Sequence, residues 1–369
     1  MSARHLVIMA AGTGGHIMPG LAVADEMKRR GWTVSWLGTQ GGMENRLVPP
    51  TGIPLDTIAF QGLRGKSAVD TLFGGVRLLK AFAECFRILG QRKATAVLGM
   101  GGYVCFPGGV MSAARGLPLV MVNADAAMLL SNRALLPITD VLACGFDGAA
   151  SQHKVARVTG NPVRAEIEAI APPAERFAGR TGPLRVLVVG GSLGARVLNE
   201  TVPQALARIP ADQRPLITHQ TGMANLEDVR KAYAAAGLDA SRDAEVLPFI
   251  NNMAERLAAC DLIVCRAGAI TVSELCAAGV PSILIPLIVS TTAHQRDNAE
   301  YMAGHGAAVH LPQTELSADA LAQRLMALDR TQLLTMAERA RQLARTRSAA
   351  AVADAIEQHV KPTSGKASA

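Results

Sequence analysis

Short apolar runs rich in β-branched residues alternate with stretches of helical periodicity along the whole chain. In the first half LVIMA, TVSWLG, LDTIAF, AVLGM, PLVMV and VLACG read as strands. In the second half LRVLVVG, LITHQ, EVLPF, LIVCR and SILIPL do the same. Helical patterns such as GLAVADEMKRRG and ARVLNETVPQALARI fill the gaps. The alternation predicts an α/β chain of βαβ units with parallel sheets. Both halves open alike, a strand running into glycines and then a helix: LVIMAAGTGGH and VLVVGGSLGAR. Two Rossmann-like domains in tandem, facing a cleft, are expected.

Length agrees, because 369 residues exceed one ordinary core. The proline- and glycine-bearing stretch at residues 171–185 marks a seam, so the boundary is expected between Arg164 and Pro183. The expected division is 1–164, 165–345, and a final helix and disordered tail over 346–369. Aromatics are only 4% of the chain against 49% hydrophobic residues, so the core must be aliphatic. That suits sheets covered on both faces.

Charge and cysteine content narrow the chemistry. A net charge of +7 fits an anionic ligand or an anionic membrane surface as well as a merely basic protein. Nucleic acid is disfavoured, since no long Lys/Arg run occurs and few aromatics are available for stacking. The six cysteines form no C-x-x-C and no zinc spacing; they read as small buried hydrophobes in a reducing compartment. The apolar run from Leu6 to Ala11 is too short for a secretory segment, and VPSILIPLIV is broken by Pro281 and Pro286. Any membrane contact is expected to be peripheral.

The glycine turns carry the candidate chemistry. Gly12, Gly14 and Gly15 form one; Gly190, Gly191, Ser192 and Gly194 form the other. Each either closes a tight turn or presents main-chain N–H groups to a phosphate at a helix N-terminus. A dinucleotide fingerprint fails, because Ile17 replaces its third glycine and WLGTQ lacks the ribose-binding acid. A P-loop fails too, because Phe60 stands where its first glycine is needed. His16, directly after the first turn, is either structural or a base for an incoming hydroxyl. Glu274 is expected in the first turn of a helix starting near Thr271, where it serves the dipole or holds a ribose diol. Gln295 is a weaker candidate for a sugar hydroxyl. No D-x-D pair appears, so helix dipoles and main-chain amides would have to neutralise a diphosphate; no metal or other cofactor is expected.

The motifs GTGGHIMPGLAVA, GLRGK, VLGMGGYVCFPGG, TGNPVR, VLVVGGSLGARVLN and CRAGAITVSELCAAGVPSILIP occur in this order. With them the chain resembles the MurG family of N-acetylglucosaminyltransferases from about Leu6 to about Ala344. The resemblance implies a GT-B fold and inverting transfer of GlcNAc from UDP-GlcNAc to the C4 hydroxyl of undecaprenyl-pyrophosphoryl-MurNAc-pentapeptide (lipid I), giving lipid II for the cell wall. The alternatives are a GT-B transferase with a soluble acceptor, a UDP-GlcNAc epimerase and a non-enzymatic nucleotide-sensing module.

Carried over by position, the resemblance places Ser192 near the diphosphate and Arg164 near the nucleotide. It puts the Ile250 backbone on uracil. Ala269, Ile270, Thr271, Val272, Ser273 and Glu274 would wrap ribose and diphosphate, with Gln295 on a GlcNAc hydroxyl. Thr13, Gly14 and Gly15 would reach the donor from the other domain, and His16 is the candidate base. Gly101, Gly102 and Tyr103 would form an acceptor loop. The sequence departs from the family at three places. VNAD stands for the usual H-E-Q-N, leaving Asp125 where an Asn contacts the sugar; Leu193 replaces a Gln; and LIVSTTA replaces a polar loop. Finally, Leu72, Phe73, Val76, Leu79, Phe82, Phe86 and Leu89 recur at helical spacing among Arg77, Lys80, Arg87, Arg92 and Lys93. This helix either packs on its own core or, with Arg64 and Lys66, lies near the inner-membrane surface on its cytoplasmic face.

Overall fold

The computed structural model describes residues 4–12, 14–60, 68–125, 127–191, 193–238, 243–287 and 294–360. Thirteen strands are seen among them. The first seven are β1 His5–Ala10, β2 Thr33–Thr39, β3 Leu55–Ile58, β4 Ala96–Gly101, β5 Leu119–Asn123, β6 Val141–Cys144 and β7 Ala156–Val158. They form one parallel sheet in the order β3-β2-β1-β4-β5-β6-β7. The remaining six are β8 Arg185–Val189, β9 Leu216–Gln220, β10 Ala244–Leu247, β11 Leu262–Cys265, β12 Ser282–Leu284 and β13 Ala308–His310. Their order is β10-β9-β8-β11-β12-β13, again parallel.

Both sheets thus run outward from their first strand, reverse, and continue from its other edge. That reversal is the topological switch of a doubly wound nucleotide fold, where the loops after the first and fourth strands part. The GTGGH turn after β1 and the GMGGY turn after β4 fall at the first switch. The GGSLG turn after β8 and the CRAGA turn after β11 fall at the second. Topology alone therefore collects the glycine stretches at the carboxyl ends of adjacent strands.

The chain divides into two compact units, Met1–Arg164 with Arg347–Ala369, and Ala165–Thr346. In the first unit β1 is buried on both faces. Leu6, Ile8 and Ala10 face one apolar cluster, and Val7, Met9 and Ala11 the other. Helix α1 (Gly14–Arg29) supplies Ile17, Val23, Ala24 and Met27 to the first cluster. Helix Ser348–His359 returns to the same cluster with Val352, Ala353, Ala355 and Ile356. Arg30 fastens it, donating from Nη1 to Asp354 at 2.6 Å and to Glu357 at 2.7 Å. Trp32 Nε1 adds a bond to Glu357 at 3.0 Å. Ile356 and Val352 are each worth about 1.5–3 kcal/mol by burial, so this helix is a working part of the first unit.

The proline-rich stretch after Arg164 is folded onto the second unit. Helix Pro173–Phe177 buries Phe177 in its core. Arg180 reaches the fully buried Asp261 at 2.6 Å, and Asp261 also accepts the Arg185 N–H at 2.9 Å. All six cysteines are buried and unpaired. No helix among the described residues is long and apolar enough to cross a membrane.

Candidate active site

In the first unit β1 ends at Ala10 and α1 starts at Gly14, so Gly14 and Gly15 open the helix and present N–H groups that have no intrahelical partner. His16 is half-buried, and its Nδ1 lies 3.2 Å from the Ala11 carbonyl. A carbonyl only accepts, so the neutral ring carries its proton on Nδ1 and leaves Nε2 as a proton acceptor. Gly101 and Gly102, the candidates for an acceptor loop, pack directly on this group. Gly101 has φ +124°, and a Cβ there would lie 2.6 Å from His16 Cδ2 and 2.7 Å from Nε2. Gly102, with φ +89°, would collide through a Cβ with the Ala11 carbonyl. Neither position tolerates a side chain, because the GMGGY backbone is what holds the imidazole. Tyr103, next in line, is 56% exposed.

Helix α2 (Glu44–Leu47), helix α3 (Ala68–Gln91) and helix α4 (Cys105–Ala114) follow β2, β3 and β4. Cys105 accepts the Gly101 N–H on Sγ at 3.2 Å; burial pushes its thiol up to about 12, so it serves as packing and not as a nucleophile. At the end of β5, Asn123 is fully buried and organises the VNAD loop. Its Nδ2 donates to the Asp125 carbonyl at 2.8 Å, and its Oδ1 accepts from the Leu129 N–H at 3.1 Å. Sequence reasoning passed over this residue, although an Asn at a strand end is a recognisable loop former. Asp125 itself is half-buried beside it.

In the second unit Gln220, at the end of β9, donates from Nε2 to the Gly191 carbonyl at 3.0 Å. Asn225 Nδ2 donates to the Leu193 carbonyl at 3.3 Å. The turn is thereby clasped against Thr221 and Gly222, and the Leu193 side chain is left 82% exposed. Gln220 and Asn225 were also missed, since Gly191 and Leu193, the turn residues they hold, lie 29 and 32 residues upstream. Helix Ala269–Ala278 begins after Gly268, which brings no side-chain cap. The leading N–H groups of this helix are therefore left for an anion.

This helix starts two residues earlier than the sequence suggests, because Gly268 already adopts the extended cap geometry. Glu274 consequently lies in the second turn and not the first, which removes the helix-dipole reading of it. Ala269 and Val272 are buried, so only their main chain is available to a ligand, and Ile250 is likewise buried. Ile270, Thr271, Ser273 and Glu274 are half-buried. Gln295, near the start of helix His294–Gly304, accepts the Leu287 N–H on Oε1 at 2.9 Å. Its amide N–H₂ is the end left to meet a hydroxyl. Arg164 is half-buried at the last position of the first unit's leading segment. Thr13, Ser192, Arg64 and Lys66 lie outside the described residues.

A cavity of about 280 Å³ opens at the amino ends of β8, β9 and β10, lined among others by Leu216, Thr218, Glu245 and Arg256. It is the wrong end of the sheet for substrate. Its carboxylate is already bonded twice by Arg256, which holds the Glu245 carboxyl below the usual range. Among the described residues no group of three His, Cys, Asp or Glu side chains gathers as a metal site.

Two doubly wound sheets with glycine turns at both switch points define a GT-B protein. Residues 6–141 match the glycosyltransferase family 28 N-terminal domain and residues 185–358 the family 28 C-terminal domain, and the chain belongs to that family. A relative from Methylibium petroleiphilum is 67% identical over 365 residues, 98% of this chain and 99% of that protein. It is named UDP-N-acetylglucosamine--N-acetylmuramyl-(pentapeptide) pyrophosphoryl-undecaprenol N-acetylglucosamine transferase. A relative of the same name from Chromobacterium violaceum is 63% identical over 358 residues, 97% of this chain and 99% of that protein. The crystal structure of Acinetobacter baumannii MurG matches with a TM-score of 0.81 at 36% identity, covering 96% of this chain and 99% of that one. A UDP-N-acetylglucosamine 2-epimerase from Listeria monocytogenes, described as putative in its own name, matches at 14% identity and TM-score 0.65, which reflects the fold alone.

Proposed function

We propose that this protein is an inverting N-acetylglucosaminyltransferase that moves GlcNAc from UDP-GlcNAc to the C4 hydroxyl of undecaprenyl-pyrophosphoryl-MurNAc-pentapeptide. The observation that carries this reading is the 67% identity, over nearly the full length of both chains, to a transferase of that name. The epimerase alternative has only fold-level likeness in its favour.

The geometry suggests how the residues divide the work. Main-chain N–H groups at the start of helix Ala269–Ala278 and in the Gly190–Gly194 turn face the diphosphate and stabilise it as it leaves. Glu274 accepts the ribose hydroxyls, Gln295 donates to a sugar hydroxyl, and the Ile250 main chain meets the uracil. Thr13, Gly14, Gly15, Arg164, Ser192 and Asp125 complete the donor set. The acceptor lies over Gly101, Gly102 and Tyr103. His16 takes the C4 hydroxyl proton on Nε2 while the oxygen attacks the anomeric carbon, and the bond from that carbon to the β-phosphate breaks to release UDP.

Helix α3 is the membrane-facing candidate. Ala81, Cys85, Ile88 and Leu89 are buried, and Phe82 packs on Phe106 with ring centroids 6.0 Å apart. Val76 and Leu79 are 66% and 69% exposed, and Phe86, 43% exposed, carries the Arg115 guanidinium over its ring. The single stripe expected from sequence is thus two stripes on roughly opposite sides. The outer one, flanked by Lys80 and Arg87 and with the exposed Arg77 at the same end of the helix as Val76, suits an anionic bilayer surface on the cytoplasmic side of the inner membrane.

The test is transfer of radiolabelled GlcNAc by the purified protein onto a lipid I analogue. The label is expected in the lipid product with release of UDP. Label recovered only as a free isomer of the donor sugar, with the lipid unlabelled, overturns the reading in favour of an epimerase.

A further inference from the structure

The first glycine turn is held by a residue that the reaction itself does not require. Glu44 is fully buried. Its Oε1 accepts the Thr39 N–H at 2.8 Å and the Thr39 hydroxyl at 2.8 Å, and its Oε2 accepts the Gly12 N–H at 3.0 Å. None of these three donors is a cation, so a buried carboxylate rests on neutral hydrogen bonds alone, an expensive arrangement. The chain makes room for it. A Cβ at Gly38 would lie 2.7 Å from Glu44 Cγ, and one at Gly42 would collide with the carboxylate. The neighbouring Met43 N–H donates to the Gly12 carbonyl at 3.1 Å. Asn45 Nδ2 closes the loop onto the Thr39 carbonyl at 2.8 Å.

Gly12 is therefore bonded through both its N–H and its carbonyl to residues 43 and 44. Its φ of +100° belongs to glycine alone, and the bonds select that conformation from the many open to it. Two residues later α1 begins, and His16 on its first turn reaches back to Ala11. The orientation of the turn, of the Gly14 and Gly15 amides and of the imidazole thus depends on one anchor. The second unit shows that a doubly wound fold does not need a charge for this. There the corresponding turn, after β8, is clasped by the neutral Gln220. The carboxylate also consumes the Gly12 N–H, which leaves the amides beyond it as this turn's donors.

We infer that Glu44 is a positioning residue that fixes the Gly12 turn, and with it His16, for the transfer step. The inference rests on the proposed function. It is tested with Glu44→Gln, which keeps an acceptor for Thr39 but sets an amide N–H₂ against the Gly12 N–H. Thr39→Val is the milder companion; it strips one donor from the carboxylate without touching the turn. Hydrogen exchange followed by mass spectrometry, steady-state kinetics per folded molecule and UDP-GlcNAc binding are read on the full chain.

In Glu44→Gln, peptides spanning residues 9–16 should exchange at least roughly tenfold faster, while peptides from β8 and β11 keep their protection. The kcat should fall by roughly 10- to 100-fold, as expected when a catalytic group is misplaced by an ångström or less, and KM for UDP-GlcNAc should rise as well, because the Gly14 and Gly15 amides belong to the proposed donor set. Thr39→Val should show the same pattern, with kcat lower by about three- to tenfold. Unchanged exchange in 9–16, or a kcat per folded molecule within about twofold of wild type, overturns the inference. A wild-type protein that transfers nothing takes down the proposed function and this inference with it. An active wild type beside a normal Glu44→Gln takes down the inference alone. If Glu44→Gln does not fold, Thr39→Val decides by the same criteria.

Discussion

His16 and Glu274 carry different halves of the proposed reaction, and their substitutions should separate in kinetics. His16→Ala removes a proton acceptor and should lower kcat by roughly 10²–10⁴-fold with little change in KM for UDP-GlcNAc. Glu274→Ala deletes an acceptor for the ribose and should raise that KM by roughly 10- to 100-fold, the equivalent of about 1.5–3 kcal/mol. A loss below tenfold in His16→Ala would move the base elsewhere. Both residues were candidates in the sequence because each follows a strand and a glycine. Glu44, Asn123, Gln220 and Asn225 were not. Their side chains bond mainly main-chain atoms, and a single acid or amide at the end of an element has no periodicity to betray it. Only the crowding of Gly38, Gly41 and Gly42 before Glu44 hints that something large is buried there.

Elements were easier to read than anchors. Eleven strands stood out as β-branched runs, whereas β7 and β13 escaped. Each of those two is three residues long and lies at a sheet edge, too short to show alternation and only partly covered. Helix α3 misleads in a different way. Its apolar positions fit one helical face when counted loosely, but 81, 85 and 88 fall on one side and 76, 79, 83 and 86 on another. The core takes the first set. The second remains exposed beside Arg77, Lys80 and Arg87, each worth about 1 kcal/mol near an anionic surface. The triple reversal of Arg77, Lys80 and Arg87 to Glu should therefore weaken binding to phosphatidylglycerol-containing vesicles by roughly 100-fold or more, while transfer to a detergent-dispersed acceptor persists. Vesicle binding equal to wild type would end the membrane role of this helix.

At the scale of the molecule, the tandem nucleotide folds followed from the alternation of strands and helices and from the echo between LVIMAAGTGGH and VLVVGGSLGAR. The return of helix Ser348–His359 to the first unit did not. A linear reading assigns chain segments in order, whereas the packing of Val352 and Ile356 and the Arg30 ion pairs reveal where that helix belongs. The same topology places four glycine stretches at two switch points, and the proposed reaction uses them, in a sequence without D-x-D, to hold the diphosphate. The central claim is that main-chain amides, with no bound cation, neutralise a uridine sugar diphosphate while a lipid-borne alcohol attacks. The most direct measurement is the initial rate of radiolabelled GlcNAc transfer to a lipid I analogue by metal-stripped protein in excess EDTA. At least about half the rate in magnesium should be retained; a rate abolished by EDTA and restored by magnesium, or no labelled lipid in either condition, would contradict neutralisation by main-chain amides.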